Sequence, residues 1–403
     1  MAYKILRLDD YGRGITKVDD KICFVNNALE DEEVEISIIN DKSKFMEADS
    51  KELNNISINR QHVKCPYYFT CGGCNIAHMK YDKQLDFKKN KVINILSRYA
   101  DINYVVNDIL PSKEFGYRNK VVLKVENGKL GLFKDSSNTL VEIDKCLLCK
   151  DKINKTIEVL KSIDLTNIRE IFIRVNFNDE ILLVLTGNNI DRMYYMDLDI
   201  DNIVIIDNGE ESIVKGNNYL IDMIGDIKYK VSYESFFQVN YIGVNKLYEQ
   251  VKKYALEEEN DIILDLYCGT GSIALYLNEC AKKIYGVEIN SKAVEDANYN
   301  KGLNNINNVE FLCSDVGLIK DKYKNVDLVV VDPPRSGLSK SAIRNVLDIA
   351  SERIIYVSCD PFTLARDLKV LKEEYTIKEV KVVDMFPNTY HCESITILEK
   401  KSL

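Results

Sequence analysis

The sequence predicts an α/β protein whose C-terminal part is a doubly wound parallel sheet, preceded by a mixed α+β region and a small N-terminal β-barrel. Three observations predict it. From residue 236 onward, short apolar runs alternate with helical stretches, as strands and crossover helices of a parallel sheet do. Residues 1–58 instead carry short apolar runs separated by glycine turns, the pattern of a small barrel. Between the two lie spaced cysteines and no comparable alternation. At 403 residues the chain exceeds what one core serves, and we divide it at 1–58, 59–235 and 236–403.

In the first segment, apolar runs at 4–8, 23–25 and 34–39 flank the turn Asp10-Tyr-Gly-Arg-Gly14. Residues 1–60 are acidic, with nine Lys/Arg against thirteen Asp/Glu, whereas 61–100 hold seven against two. On a chain of net charge −9, that local basic stretch is where phosphate contacts, which need Lys and Arg, would lie. A helix is predicted over 75–100, with Ile76, Met79, Leu85, Val92 and Leu96 apolar. Tyr117-Arg-Asn-Lys120 opens a strand-rich stretch, and 170–186 reads as paired strands.

Eleven cysteines in a chain of this length, whose N-terminus lacks the apolar core of a signal peptide, suggest metal binding or catalysis more than a disulfide framework. No apolar run approaches the roughly 20 residues of a membrane span, so a soluble, cytoplasmic protein is expected. Cys65-x5-Cys71-x2-Cys74 is the densest group, and Cys146-x2-Cys149 lies downstream. Spacing leaves two options open: a tetrahedral zinc site on the two Cys-x2-Cys pairs, or an iron–sulfur cluster on Cys65, Cys71, Cys74 and one later cysteine.

In the third segment a helix over 240–258 precedes strand runs at 262–266, 283–288, 309–312, 326–331, 353–358, 378–383 and 394–398. Ligands of such sheets sit at the carboxyl ends of the strands. There the chain places Asp265-Leu-Tyr-Cys-Gly-Thr-Gly271, then Glu288, Asp315 and Asp332-Pro-Pro-Arg335. The turn lacks the full Gly-x-Gly-x-x-Gly spacing of dinucleotide folds. After the fifth strand, Cys359 precedes Asp360, a good helix cap, and Pro361, a good first helical residue. A helix N-terminus favours a thiolate, so Cys359 is expected to be acidic and nucleophilic. In Phe386-Pro-Asn-Thr-Tyr-His-Cys-Glu393, His391 and Glu393 lie two apart and point to one side. Glu393 is placed to accept a proton.

The stretch 236–403 resembles the Rossmann-like methyltransferases that bind S-adenosylmethionine. Asp-Pro-Pro-Arg, Ser-Cys-Asp-Pro-x-Thr-Leu-Ala-Arg-Asp and Phe-Pro-x-Thr-x-His-x-Glu, in that order, resemble the RNA uridine-5-methyltransferase family. Phe236-Phe-Gln-Val-Asn240 is similar to a fourth motif. The resemblance implies S-adenosylmethionine as methyl donor, Glu288 at its ribose and Asp315 by its adenine. Gln238, Tyr267, Ser272 and Asp332 would line the cofactor or target pocket. It implies Cys359 as the nucleophile on carbon 6 of a uridine and Glu393 as the base for the carbon 5 proton. It also implies a TRAM module, an oligonucleotide-binding-like barrel, at 1–58, and RNA contacts at Arg118 and Lys120. A 4Fe–4S cluster on Cys65, Cys71, Cys74 and Cys146 is implied in the same way, leaving Cys149 spare. Barrel and cluster together resemble the ribosomal branch, so large-subunit ribosomal RNA is the expected partner of a monomeric protein. Transfer RNA is the alternative substrate. A catalytically silent, metal-containing RNA-binding protein is the alternative of another class.

Overall fold

The computed structural model describes residues 2–104, 106, 109–319 and 322–402. Six N-terminal strands form one sheet in the order Ala2–Lys4, Glu33–Asp41, Phe45–Asn55, Lys21–Asn26, Gly14–Val18, Arg7–Leu8. The sheet curls into a half-barrel around Ile5, Cys23, Val25, Val34 and Ala48. Its two edges approach each other, since Ile5 N donates to Glu32 O and Leu6 N to Ile15 O. The exit is pinned by Arg60, whose Nε reaches the fully buried Glu32 carboxylate at 2.6 Å.

The predicted helix over 75–100 begins later, at Tyr81–Ala100. Residues 75–80 spend their amide donors elsewhere. Asn75 N and Ile76 N both bond Asn388 O, and Lys80 N bonds Asn59 O. The helix over 240–258 is Tyr241–Ala255, with Asn240 capping it through Gly243 N.

A seven-stranded sheet spans the middle of the chain, in the order Leu140–Glu142, Lys129–Phe133, Lys120–Glu126, Ile168–Val175, Ile181–Gly187, Asn202–Asp207, Glu210–Lys215. The strands expected within 170–186 are its antiparallel pair Ile168–Val175 and Ile181–Gly187.

The C-terminal sheet runs Val309–Cys313, Lys283–Glu288, Ile262–Leu266, Leu328–Val331, Arg353–Ser358, Glu393–Lys400, Tyr375–Val383, Ile109–Leu110. The first five strands are parallel. The expectation of a purely parallel sheet is corrected beyond them. Glu393–Lys400 inserts antiparallel between Arg353–Ser358 and Tyr375–Val383. A parallel crossover needs a dozen or more residues, and only residues 384–392 separate these last two strands. One face of the sheet packs on Val92, Ile95 and Leu96 of the helix Tyr81–Ala100, together with Leu364 and Leu368. The other face packs on Val244, Leu247 and Val251. Among the described residues, no helix is long and apolar enough to cross a membrane.

Candidate active site

Ser358 pairs with Ser394 across the antiparallel ladder. Cys359 follows Ser358 just past the end of its strand, and Glu393 precedes Ser394 at the start of the partner strand. The register carries them to the same end of the ladder, where the Glu393 charge acts on the thiol. Cross-strand partners sit about 5 Å apart at Cβ, and Ser394 Oγ ties the two strands at Ser358 O, 3.3 Å away. The helix Pro361–Leu371 starts immediately after, capped by the Asp360 carboxylate on the amides of Phe362 and Thr363 at 2.8 and 3.1 Å.

The thiol is less acidic than the sequence led us to expect. Burial pushes Cys359 up to about 12, with the charges of Glu393 and Asp332 adding to it and Arg335 opposing. The helix end does favour a thiolate, but the Asp360 carboxylate already occupies it and two buried acids lie beside the sulfur. Glu393 is only 6% exposed. Burial, then Asp332, holds its carboxyl well above the ordinary range, against Arg335. Burial likewise pushes Asp332 up to about 7. His391 is pulled down to about 4 by burial and then by Arg335 and Lys91, so it is neutral. Arg335 is a residue that sequence reasoning quoted in a motif and gave no role. Its charge acts on Cys359, Glu393 and His391 alike.

The glycine turn after Ile262–Leu266 is built for close approach. Tyr267, Gly269 and Gly271 all have positive φ, at 64°, 54° and 78°. A side chain at Gly271 would come within 2.5 Å of the Phe311 ring, whereas the space over Gly269 is open. Glu288 accepts from Gly269 N at 3.2 Å and Asn290 N at 2.8 Å, which brings a carboxylate to the turn. Asp265 is buried and accepts from Ala274 N through Oδ2, while its Oδ1 finds no partner among the described residues. Sequence reasoning treated Asp265 only as part of the turn. Tyr267 and Asp315 line one cavity of about 580 Å3 with Ile289, Val316, Leu338 and Ser339. An open glycine turn, a carboxylate at the next strand end and an orphaned buried oxygen fit a polar, ribose-bearing cofactor. Ser272 is half-buried, its hydroxyl 2.8 Å from that of Tyr248. Gln238 is half-buried on the approach to Asn240, its carbonyl accepting from Asn119 Nδ2 at 3.4 Å.

The loop 384–392 that delivers Glu393 is held by the helix Tyr81–Ala100. Lys88, fully buried, donates to Asp384 Oδ1 at 2.5 Å and to Phe386 O at 2.9 Å. Tyr81 donates its hydroxyl to the other oxygen of Asp384 at 2.9 Å. Gln84 and Asn388 pair through Nε2 to Oδ1 and, in return, Asn388 N to Oε1. Asn388 has φ 67°, a left-handed turn that this bonding supports.

Cys65, Cys71, Cys74 and Cys146 line a second cavity of about 580 Å3, together with Arg118, Lys120, Phe115 and Asn388. They are free thiols, as is the buried Cys149. The 4Fe–4S cluster expected on these four positions finds no support here. Among the described residues, no three His, Cys, Asp or Glu side chains form a group able to hold a metal ion. The sequence spacing brings the four sulfurs to one cavity, where their charges act on one another. Arg118 and Lys120 reach this cavity rather than an outer surface. Burial pulls Lys120 down to about 8, with Arg174 and Arg118 contributing.

Residues 80–315 and 314–401 match the family model for tRNA (uracil-5-)-methyltransferase. An RNA methyltransferase of Clostridium tetani is 38% identical over 96% of this chain and 93% of its own. One of Clostridium acetobutylicum is 36% identical over 98% and 96%. Among solved structures, the tRNA (uracil-54, C5)-methyltransferase of Pyrococcus abyssi in complex with S-adenosyl-L-homocysteine superposes with a TM-score of 0.83. It is 28% identical, over 99% of this chain and all of the other. These findings overturn the expected ribosomal branch and the ribosomal RNA partner, because the family model and the solved relative are both named for tRNA. A barrel followed by clustered cysteines therefore does not mark a ribosomal substrate. The chain is an S-adenosylmethionine-dependent RNA (uracil-5-)-methyltransferase and belongs to the tRNA (uracil-5-)-methyltransferase family.

Proposed function

We propose that the chain methylates carbon 5 of a uridine in tRNA, with uridine 54, the position named for the Pyrococcus relative, as its target. The observation that carries the chemistry is the strand register that carries Cys359 and Glu393 to the same end of the ladder. Cys359 sulfur bonds to carbon 6 of the uracil, and the carbon 5–carbon 6 π electrons move toward O4 as an enolate. Its thiol proton passes to solvent or to a neighbouring carboxylate as the ring enters. S-Adenosylmethionine, when bound, supplies a sulfonium methyl that carbon 5 takes. Glu393, having first given up its own proton to solvent, then accepts the carbon 5 proton, the sulfur–carbon 6 bond breaks with the thiolate as leaving group, and the double bond returns. A buried carboxylate with a raised pKa is a stronger base than an exposed one. Glu288, Tyr267 and Asp315 hold the cofactor at the glycine turn and its cavity. Gln238 and Asp332 face the target ring, and Ser272 braces the turn through Tyr248. The target base must leave its stack to reach these groups.

The test incubates the chain with methyl-labelled S-adenosylmethionine and, separately, an unmodified tRNA transcript and ribosomal RNA, with modified positions located by mass spectrometry. 5-Methyluridine at position 54 is expected. Methylation of ribosomal RNA alone, or of neither, sinks the proposal. No step passes through the cysteine-lined cavity. Iron content and visible absorbance of the anaerobically purified chain decide separately what that cavity takes up.

A further inference from the structure

Beside the catalytic pair lies an aromatic corner that the reaction above does not use. Tyr11, at a turn of the N-terminal half-barrel, meets Tyr390 edge to face, with ring centroids 5.2 Å apart and planes at 85°. Tyr390 leans on His391 at 4.2 Å, two residues before Glu393. Tyr11 is 46% exposed. Cations gather round the corner. Lys91 Nζ lies 4.9 Å from the Tyr390 ring and 5.9 Å from that of Tyr11, and the Arg13 guanidinium lies 5.6 Å from Tyr11.

The position of Tyr11 is built, not incidental. Asp9 accepts from the amides of Tyr11 and Arg13 at 2.9 and 2.8 Å, and from Arg13 Nε at 2.8 Å. Gly12 has φ 80°, and a side chain there would come within 2.4 Å of Ile76 Cγ2, so the turn presses against Ile76. The Ile76 amide in turn bonds Asn388 O, in the loop that delivers Glu393. The turn and the catalytic loop are thus fixed to a common support. An exposed ring backed by cations next to a site for an extruded base has the chemistry of a single-stranded RNA contact. Bases stack on such rings whatever their identity, and nearby positive charge strengthens the contact. Extruding a uridine also leaves its neighbours in the strand without their stacking partner.

We propose that Tyr11 and Tyr390 form a stacking platform for the nucleotide adjoining the target uridine, which makes the N-terminal half-barrel part of the substrate site. This deepens the tRNA reading above and depends on it. The test uses the full chain and tRNA transcripts carrying 2-aminopurine on one side or the other of uridine 54. Wild type should change the probe's fluorescence on one side, and Tyr11→Ala should abolish the change. Tyr11→Ala should also lower kcat/KM roughly tenfold, mainly through KM, while Tyr11→Phe stays near wild type. Tyr11→Leu keeps apolar bulk without an aromatic face and should behave as Tyr11→Ala, with a melting curve like wild type. Probe response and KM unchanged in Tyr11→Ala, or full activity in Tyr11→Leu, overturns the platform while leaving the methyltransferase reading intact. Wild type that methylates no tRNA overturns that reading first, before any variant is compared.

Discussion

Cys359, in the candidate active site, and Cys146, in the cysteine cavity, are both half-buried thiols, yet their surroundings set them in opposite directions. Cys65, Cys71 and Cys74 are pushed up by burial, as Cys359 is. Cys359 is pushed up to about 12 by burial and by Glu393 and Asp332. Cys146 is brought down to about 6, first by a hydrogen bond from Cys149, with backbone donors and Arg118 helping against burial. The supports differ as well. Strand register fixes Cys359, whereas turns fix the cavity cysteines, as where Cys71 N bonds Tyr67 O and Cys146 N bonds Asn154 Oδ1. What shares a sulfur's burial decides its acidity more than its place along a helix. Cys359 thus holds its proton in the free chain, and, as the nucleophile proposed above, it must lose that proton when the base approaches.

The contrast breaks most visibly at Cys359 and Glu393. Cys359→Ala should lower kcat by roughly 10⁴-fold or more, as loss of a covalent nucleophile does. Glu393→Gln should lower turnover by about 10²–10⁴-fold while accumulating a protein–RNA adduct on a denaturing gel. A Glu393→Gln chain without adduct removes Glu393 from the proton step. Next comes the support of the loop. Lys88→Met leaves the buried Asp384 without its cation, with the Tyr81 hydroxyl still bonded to the carboxylate, and should destabilise the chain by about 3–5 kcal/mol, measured by urea unfolding. Lys88→Met with Asp384→Leu should recover part of that loss, and a double variant no better than the single refutes the ion-pair account.

Smaller effects concern protons. Cys359, Asp332 and Glu393 all hold their protons to higher pH than usual. Adduct formation with 5-fluorouridine-substituted tRNA should therefore rise from pH 6 to 9. Asp332→Asn removes a like charge beside the sulfur and should move that profile down by about 1 pH unit; an unmoved profile separates Asp332 from Cys359. The smallest effect is on stability. Because the folded pKa of Asp332 lies above its ordinary 3.8, at about 7, its contribution is full below pH 4. It is lost as pH rises through about 7. Asp332→Asn should flatten the stability–pH curve across that window, and a curve with unchanged slope contradicts it.

Much of the C-terminal sheet could be read from sequence because each strand is a short apolar run closed by a polar or glycine end. Asp360-Pro361 announced its helix for the same local reason, through cap chemistry. What escaped the sequence is long-range. Ile109–Leu110 joins the sheet edge from more than 250 residues upstream of its partner, and a two-residue strand leaves no periodicity to detect. Lys88 lies in the basic stretch where phosphate contacts were expected, yet it is buried against Asp384, because the partner lies across the fold. The acidity of Cys359 was misjudged since helix polarity is local in sequence, while the carboxyl groups of Asp332 and Glu393 arrive from separate strands. The cysteine spacing was legible as a neighbourhood, since Cys65, Cys71, Cys74 and Cys146 line one cavity; among the described residues no metal-holding group is formed there.

The interposed strand Glu393–Lys400 has a bearing on how the site is put together. It is the last of its sheet's strands in chain order, and it seats between two strands that precede it. Glu393 is that strand's first residue, so seating the strand between its two neighbours and placing the carboxyl near Cys359 are one and the same structural arrangement.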